Sequence, residues 1–135
     1  VAEGAVSVGV RVAGQAAVAA SFLSLRAASD ARTRAIVRHH GALLRTRVMR
    51  NASGRPGPNV VTGDYRRSIS VQYVEEGGVF VAVVGTNSPQ GRRLEFGFHG
   101  ADSLGRVYNQ PPFPHFGPAL QATAPEFVAA FKAIA

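Results

Sequence analysis

A chain of 135 residues with 46% hydrophobic side chains has the length of one domain and enough apolar surface to bury a core, which excludes simple disorder. It has no cysteine, so disulfide staples, thiolate metal sites and a cysteine nucleophile are excluded, and no run approaches the roughly 18 apolar residues that a membrane span needs. The formal charge of +7 is concentrated: residues 26–67 hold ten arginines against Asp30 and Asp64, and a localised basic excess implies a polyanionic or acidic partner.

In chain order, Val6, Val8, Val10 and Val12 alternate with small or polar residues and predict a half-buried strand over 6–12. Arg11 lies inside that alternation, so the segment does not read as a signal peptide. Residues 15–28 are Ala-rich, with Phe22, Leu23 and Leu25, and predict a first helix. Ser29 and Asp30 offer an N-cap for a second helix running to about Asn51. At 100° per residue its Val37, His40, Gly41, Leu44 and Val48 form one stripe flanked by Ile36 and Leu43, while Arg34, Arg38 and Arg45 cluster on another side. Gly54, Pro56 and Pro58 then stop the helix and form a connector.

Ile69, Val71 and Tyr73 alternate with Ser70 and Gln72, and the apolar run 79–84 follows Glu75, Glu76, Gly77 and Gly78; together they predict a hairpin. The short apolar piece from Leu94 to Phe98 predicts a third strand, and residues 99–117, rich in Gly, Pro and aromatics, predict irregular structure. Pro118 suits a helix start, and Thr123 with Glu126 has capping-box spacing before Phe127, Val128, Phe131 and Ile134. The whole, residues 1–135, reads as a single α+β domain in which a small, mostly antiparallel sheet packs against the long helix and a C-terminal helix.

The residues that could carry chemistry do not assemble into a site. His39 and His40 are adjacent and point to different helix sides, and His99 and His115 fall in loops without carboxylates at ligand spacing, so no metal is predicted. His40, on the apolar stripe, reads as a packed histidine with one satisfied nitrogen. Ser68 and Ser88 lack a nucleophile motif, and no glycine run follows a strand and opens a helix as a phosphate loop does, so no catalytic residue and no cofactor are predicted. The arginine side of the long helix, Arg34, Arg38 and Arg45, and elsewhere Arg66, Arg67, Arg92 and Arg93, are the candidate contacts for a polyanion or an acidic partner. A basic nucleic-acid-binding module using that face is the alternative function, although no aromatics interleave with the arginines as single-strand binding requires.

Three segments in fixed order carry a resemblance: TGDYRRSI (Thr62 to Ile69), VGTNSPQGRRLEFGF (Val84 to Phe98) and PPFPHFGPAL (Pro111 to Leu120). The chain resembles the tail-completion, or head-tail joining, morphogenesis proteins of long-tailed siphophages. The matching positions are Thr62, Gly63, Ser68, Ile69, Gly85, Thr86, Glu95, Phe96, Gly97, Pro112, Phe113, Pro118, Ala119 and Leu120. Tyr65 stands where that family usually has Leu, and the usual Tyr-Ala before Glu-Phe-Gly is missing.

The resemblance implies a structural virion protein, not an enzyme, assembled in the host cytoplasm and located at the neck or upper tail. It implies a ring, sixfold by expectation, whose partners are further copies of the chain, a head-closure or connector protein, and a tail terminator or tail-tube protein. Non-specific contact with packaged DNA is expected as well, and contact with a membrane is not. The matched positions are expected to maintain the fold or to form interfaces, with Gly63 and Gly97 at turns that tolerate positive φ.

Overall fold

The structure, a computed structural model, describes residues 21–134 apart from 29, 61 and 102, so the predicted strand over 6–12 and residues 15–20 of the predicted first helix lie outside the described residues. The part of that helix that is described is instead strand β1 (Ser21–Ala28). Alanine favours a helix by less than about 1 kcal/mol per residue, whereas burying one leucine is worth about 2 kcal/mol. In β1, Leu25 and Ala27 are both buried, opposite Ala82 and Phe80 of a neighbouring strand, and this pairing outweighs propensity.

Helix α1 (Ala31–Asn51) starts where its cap predicts. The Asp30 carboxylate accepts from the backbone N–H groups of Arg32 (3.0 Å) and Thr33 (2.9 Å), and the Thr33 hydroxyl in turn accepts from Asp30 N–H (3.1 Å). These bonds to the ionised form hold the Asp30 carboxyl below its usual range. The predicted stripe is the buried face: Val37, His40, Gly41, Leu44 and Val48 are all buried, and Thr33 joins them. His40 accounts for one nitrogen through Nδ1 and the Ile36 carbonyl (2.8 Å) and sets its ring edge-on to Phe127.

A four-residue helix α2 (Asp64–Arg67) precedes strands β2 (Ser70–Glu76) and β3 (Val79–Thr86). Gly77 and Gly78 both have positive φ, as the two-residue turn matched to strand twist requires. The sheet order is β1-β3-β2, antiparallel throughout, and alternate β3 residues Phe80, Ala82, Val84 and Thr86 point into the core. Residues 94–96, predicted as strand, instead end helix α3 (Gln90–Phe96), and the region predicted as irregular contains a second hairpin, β4 (Phe98–Ala101) with β5 (Val107–Gln110). A piece of five residues is too short for periodicity to separate strand from helix.

The C-terminal helix α4 (Phe116–Ile134) starts before Thr123, so the Thr123–Glu126 spacing is not a cap. Both side chains serve packing between helices: Arg47 of α1 donates from Nη1 to Thr123 Oγ1 (2.9 Å) and meets both carboxylate oxygens of Glu126 (2.8 and 3.0 Å). That bonding lowers the Glu126 carboxyl and raises the Arg47 guanidinium from their ordinary values. Phe127 and Phe131 complete a core shared by the sheet, α1 and α4.

Gly41 lets α1 lie close against the sheet: an added Cβ there would lie 2.8 Å from the Ala82 Cβ and 3.3 Å from the Tyr73 ring. Alanine there gains about 1 kcal/mol of helix propensity but forces helix and sheet apart at a cost of about 1–3 kcal/mol. Gly41→Ala is therefore expected to be less stable than the natural chain by about 1 kcal/mol in urea denaturation, against the helix-propensity trend.

Candidate functional site

Helix α4 begins after Pro114-His115, a stretch without the Ser, Thr, Asp or Asn that caps a helix from its own chain. The acceptor comes from α3. Glu95, almost fully buried, accepts through Oε1 from the N–H groups of His115 and Phe116 (2.8 Å each) and through Oε2 from Gly117 N–H (3.0 Å). A carboxylate at this end also faces the positive pole of the helix dipole. An added Cβ on Gly117 would lie 3.3 Å from Glu95 Oε2, so the glycine leaves room for the carboxylate.

His115, wholly buried, extends this brace. Its Nδ1 lies 2.9 Å from the Phe113 carbonyl and 3.2 Å from Glu95 Oε1, and its Nε2 lies 2.5 Å from the Tyr65 hydroxyl. Burial pushes the imidazole below its ordinary value of 6.5, against the opposing pull of the Phe113 carbonyl and the Glu95 charge. A neutral ring is assigned its tautomer by these partners: Nδ1–H donates to Phe113, and Nε2 accepts from Tyr65. Burial, reinforced by the Glu95 charge, raises the Tyr65 hydroxyl far above its usual range, so it remains a donor. His115 thus has the carboxylate partner that its sequence spacing does not suggest.

Above Tyr65 opens a cleft of about 670 Å³, walled by the Pro-containing connector, the Thr62-Gly63 turn, α3 and the segment following β5. Gly63 has φ of +86°, and the Thr62 hydroxyl accepts from Asp64 N–H (3.2 Å) to open α2. On the opposite wall, Phe113 N–H donates to the Leu94 carbonyl (2.6 Å) and Gln110 Nε2 to the Arg93 carbonyl (3.2 Å). Gly97 permits this lacing: with φ of +80°, its Cβ would be 2.8 Å from the Gln110 carbonyl. The Arg55 guanidinium lies 3.7 Å over the Phe113 ring and donates to the Gly57 carbonyl (3.0 Å), and Arg66 donates to the Ser53 hydroxyl (2.9 Å).

The three resembling segments meet around this cleft and brace. Thr62, Gly63 and Phe113 line the cleft, Glu95 holds the brace, Gly97 makes the close crossing with Gln110 to Pro112, and Ile69 is fully buried. The hydroxyls of Ser68 and Thr86 bond to each other (2.6 Å), and Gly85 pairs with Ser70 in the sheet. Phe96 is 53% exposed, Pro112 is exposed, and Pro118 stands in the first turn of α4 with Ala119 and Leu120 buried behind it.

The predicted arginine contacts lie on separate elements. Arg34 pairs with Glu75 (3.4 Å), Arg38 lies 5.2 Å from the Phe80 ring, and Arg45 Nε donates to the Ile69 carbonyl (3.0 Å), so these three fasten α1 to the sheet. Arg92 and Arg93 belong to α3, with Arg93 over the Phe98 ring at 3.9 Å. Sequence reasoning names Tyr65 and His115 but does not bring them together with Glu95; the one signal for that meeting is a helix start with no local cap.

A sequence model of the HK97-gp10-like family, described as "Bacteriophage HK97-gp10, putative tail-component", matches residues 16–97, more than half of the chain. The chain belongs to this family, and its role is that of a structural component of the phage tail. The match includes the Thr62 to Ile69 segment and ends at Gly97, before the Pro111 to Leu120 segment. No curated protein and no solved structure matches the chain.

Two outcomes follow from the brace. Glu95→Ala leaves at least two buried N–H donors without an acceptor, at about 1–3 kcal/mol each, so the variant is expected to lose about 3 kcal/mol or more of stability to urea. The second concerns pH. The unfolded chain protonates His115 as pH falls through 6.5 while the folded chain resists, so the unfolded state binds more protons and stability falls below that pH. The melting temperature should decline between about pH 7 and 5, and decline less steeply in His115→Gln; parallel curves would show that this ring does not contribute.

Proposed function

We propose that this tail component completes the tail of a long-tailed, siphophage-type particle and joins it to the DNA-filled head, as a ring of copies, sixfold in our reading, at the neck or upper tail. Family membership over residues 16–97 is the observation that carries the proposal. The β4–β5 hairpin supports it physically. A lone two-stranded hairpin is marginal in water, and this one exposes Leu104 (75%) and Val107 (82%), the kind of apolar surface that an assembly covers.

The neighbours in this reading are further copies of the chain within the ring, a head-closure or connector protein on one side and a tail terminator or tube protein on the other. Chains of +7 repel in a closed ring, so acidic neighbours or packaged DNA must lie against them. The work is binding and geometry, without catalysis.

The test is to silence the gene during infection and complement it. Without the chain, filled heads and separate tails are expected; complementation by the natural chain restores joined particles, and by Leu104→Ser with Val107→Ser restores about tenfold fewer. Joined particles formed in its absence would refute the joining role. If joined particles formed without it and the isolated chain bound duplex DNA with a steep salt dependence, the nucleic-acid module would take its place.

A further inference from the structure

We propose that the cleft beside Tyr65 seats an extended acidic segment of a neighbouring virion protein, with Arg55 and Arg66 pairing its carboxylates. This rests on the joining role and names the chemistry of one of its contacts. Among the described residues, those lining the cleft include two arginines and no Asp or Glu. Each guanidinium has a neutral oxygen as its hydrogen-bond partner, Gly57 O for Arg55 and Ser53 Oγ for Arg66, and neither meets a carboxylate among the described residues. The stacking of Arg55 on Phe113 holds its fork in place while sparing most of its five N–H donors, as bidentate carboxylate recognition needs.

The cleft also has features suited to a peptide. Val60, 43% exposed, with Leu94 and Phe113 offers apolar surface for a side chain, and Asn59, Gln90 and Gln110 bring side-chain amides that can bond an extended backbone. A DNA duplex presents its phosphates on a convex rod, so it would leave these concave apolar walls unfilled. Five acidic side chains of a second copy are already engaged, which favours a different protein as the occupant. Asp30 caps α1, Asp64 pairs with Arg67, Glu75 with Arg34 and Glu126 with Arg47, and Glu95 is buried in the brace. The chain's own net charge makes an acidic partner the complementary one.

The experiment places a photo-crosslinker in the cleft, Val60→p-benzoylphenylalanine, in particles assembled during infection, and maps the attachment site by mass spectrometry. The expected product joins this chain to a different virion protein at a peptide carrying Asp or Glu beside the attachment point. Arg55→Gln with Arg66→Gln should reduce that product about tenfold, while Arg92→Gln with Arg93→Gln leaves it unchanged. Arg66→Glu alone, at a half-exposed position, should reduce it as well, which separates recognition from any folding defect of the double variant. Attachment to DNA, to a second copy or to nothing overturns the proposal, as does equal loss in both arginine pairs. If silencing still yields unjoined heads and tails while the crosslink fails, the joining role stands and the cleft assignment falls.

Discussion

The Glu95 carboxylate is the constraint on which the second half of the molecule depends. Three backbone N–H groups at the start of α4 converge on it, and two of its hydrogen bonds are buried, where an unmade bond is most costly. Fixing residue 95 against residues 115–117 closes a loop, so the chain between must leave the body and return. It does so as the β4–β5 hairpin. Gly97 at the exit and Gln110 to Pro112 at the return pass so closely that no side chain fits between them. The position of the exposed hairpin is therefore set by a buried acid at its base, and the same return strand supplies one wall of the cleft.

The arginine excess divides by the work each residue does. Arg34, Arg38 and Arg45 hold α1 to the sheet, and Arg47 holds α1 to α4. A guanidinium is suited to this because its stem packs on apolar surface while its fork reaches carbonyl, carboxylate or ring. Counting charge along the sequence thus locates a basic segment but does not show which of its arginines are bonded within the fold. Arg55 and Arg66, which follow the helix, reach only neutral oxygens, and it is their surroundings, not their number, that distinguish them.

The long helix and the first hairpin were legible because their signals were long or chemically specific: a buried stripe over 21 residues with an Asp cap, and a Gly-Gly turn between alternating strands. β1 was read as helix because alanine propensity is a local quantity, while its pairing with β3 joins residues more than fifty positions apart. The Leu94 to Phe98 segment was too short for its period to decide. Thr123 and Glu126 mimic a cap because a spacing of three places two side chains on one face of a helix interior as well as at its start, and here that face meets Arg47. The Tyr65–His115–Glu95 chain was illegible from spacing alone, since its members lie 50 and 20 residues apart and meet only once α4 is docked.

The conserving of a fold and the meeting of a partner are not competing roles for the three resembling segments. Ile69, Glu95 and Gly97 work in the interior or at a close backbone crossing, where substitution alters the path of the chain. Thr62 and Phe113 line the surface cleft, yet each is placed by a bond from its own neighbourhood: the Thr62 hydroxyl opens α2, and Phe113 N–H is tied to Leu94. Tyr65 joins the two sets, since its ring borders the cleft while its hydroxyl is bonded to the histidine beside Glu95. A contact made in the cleft therefore rests on the same buried network that sets the hairpin, and the geometry of one surface cannot change without disturbing the support of the other.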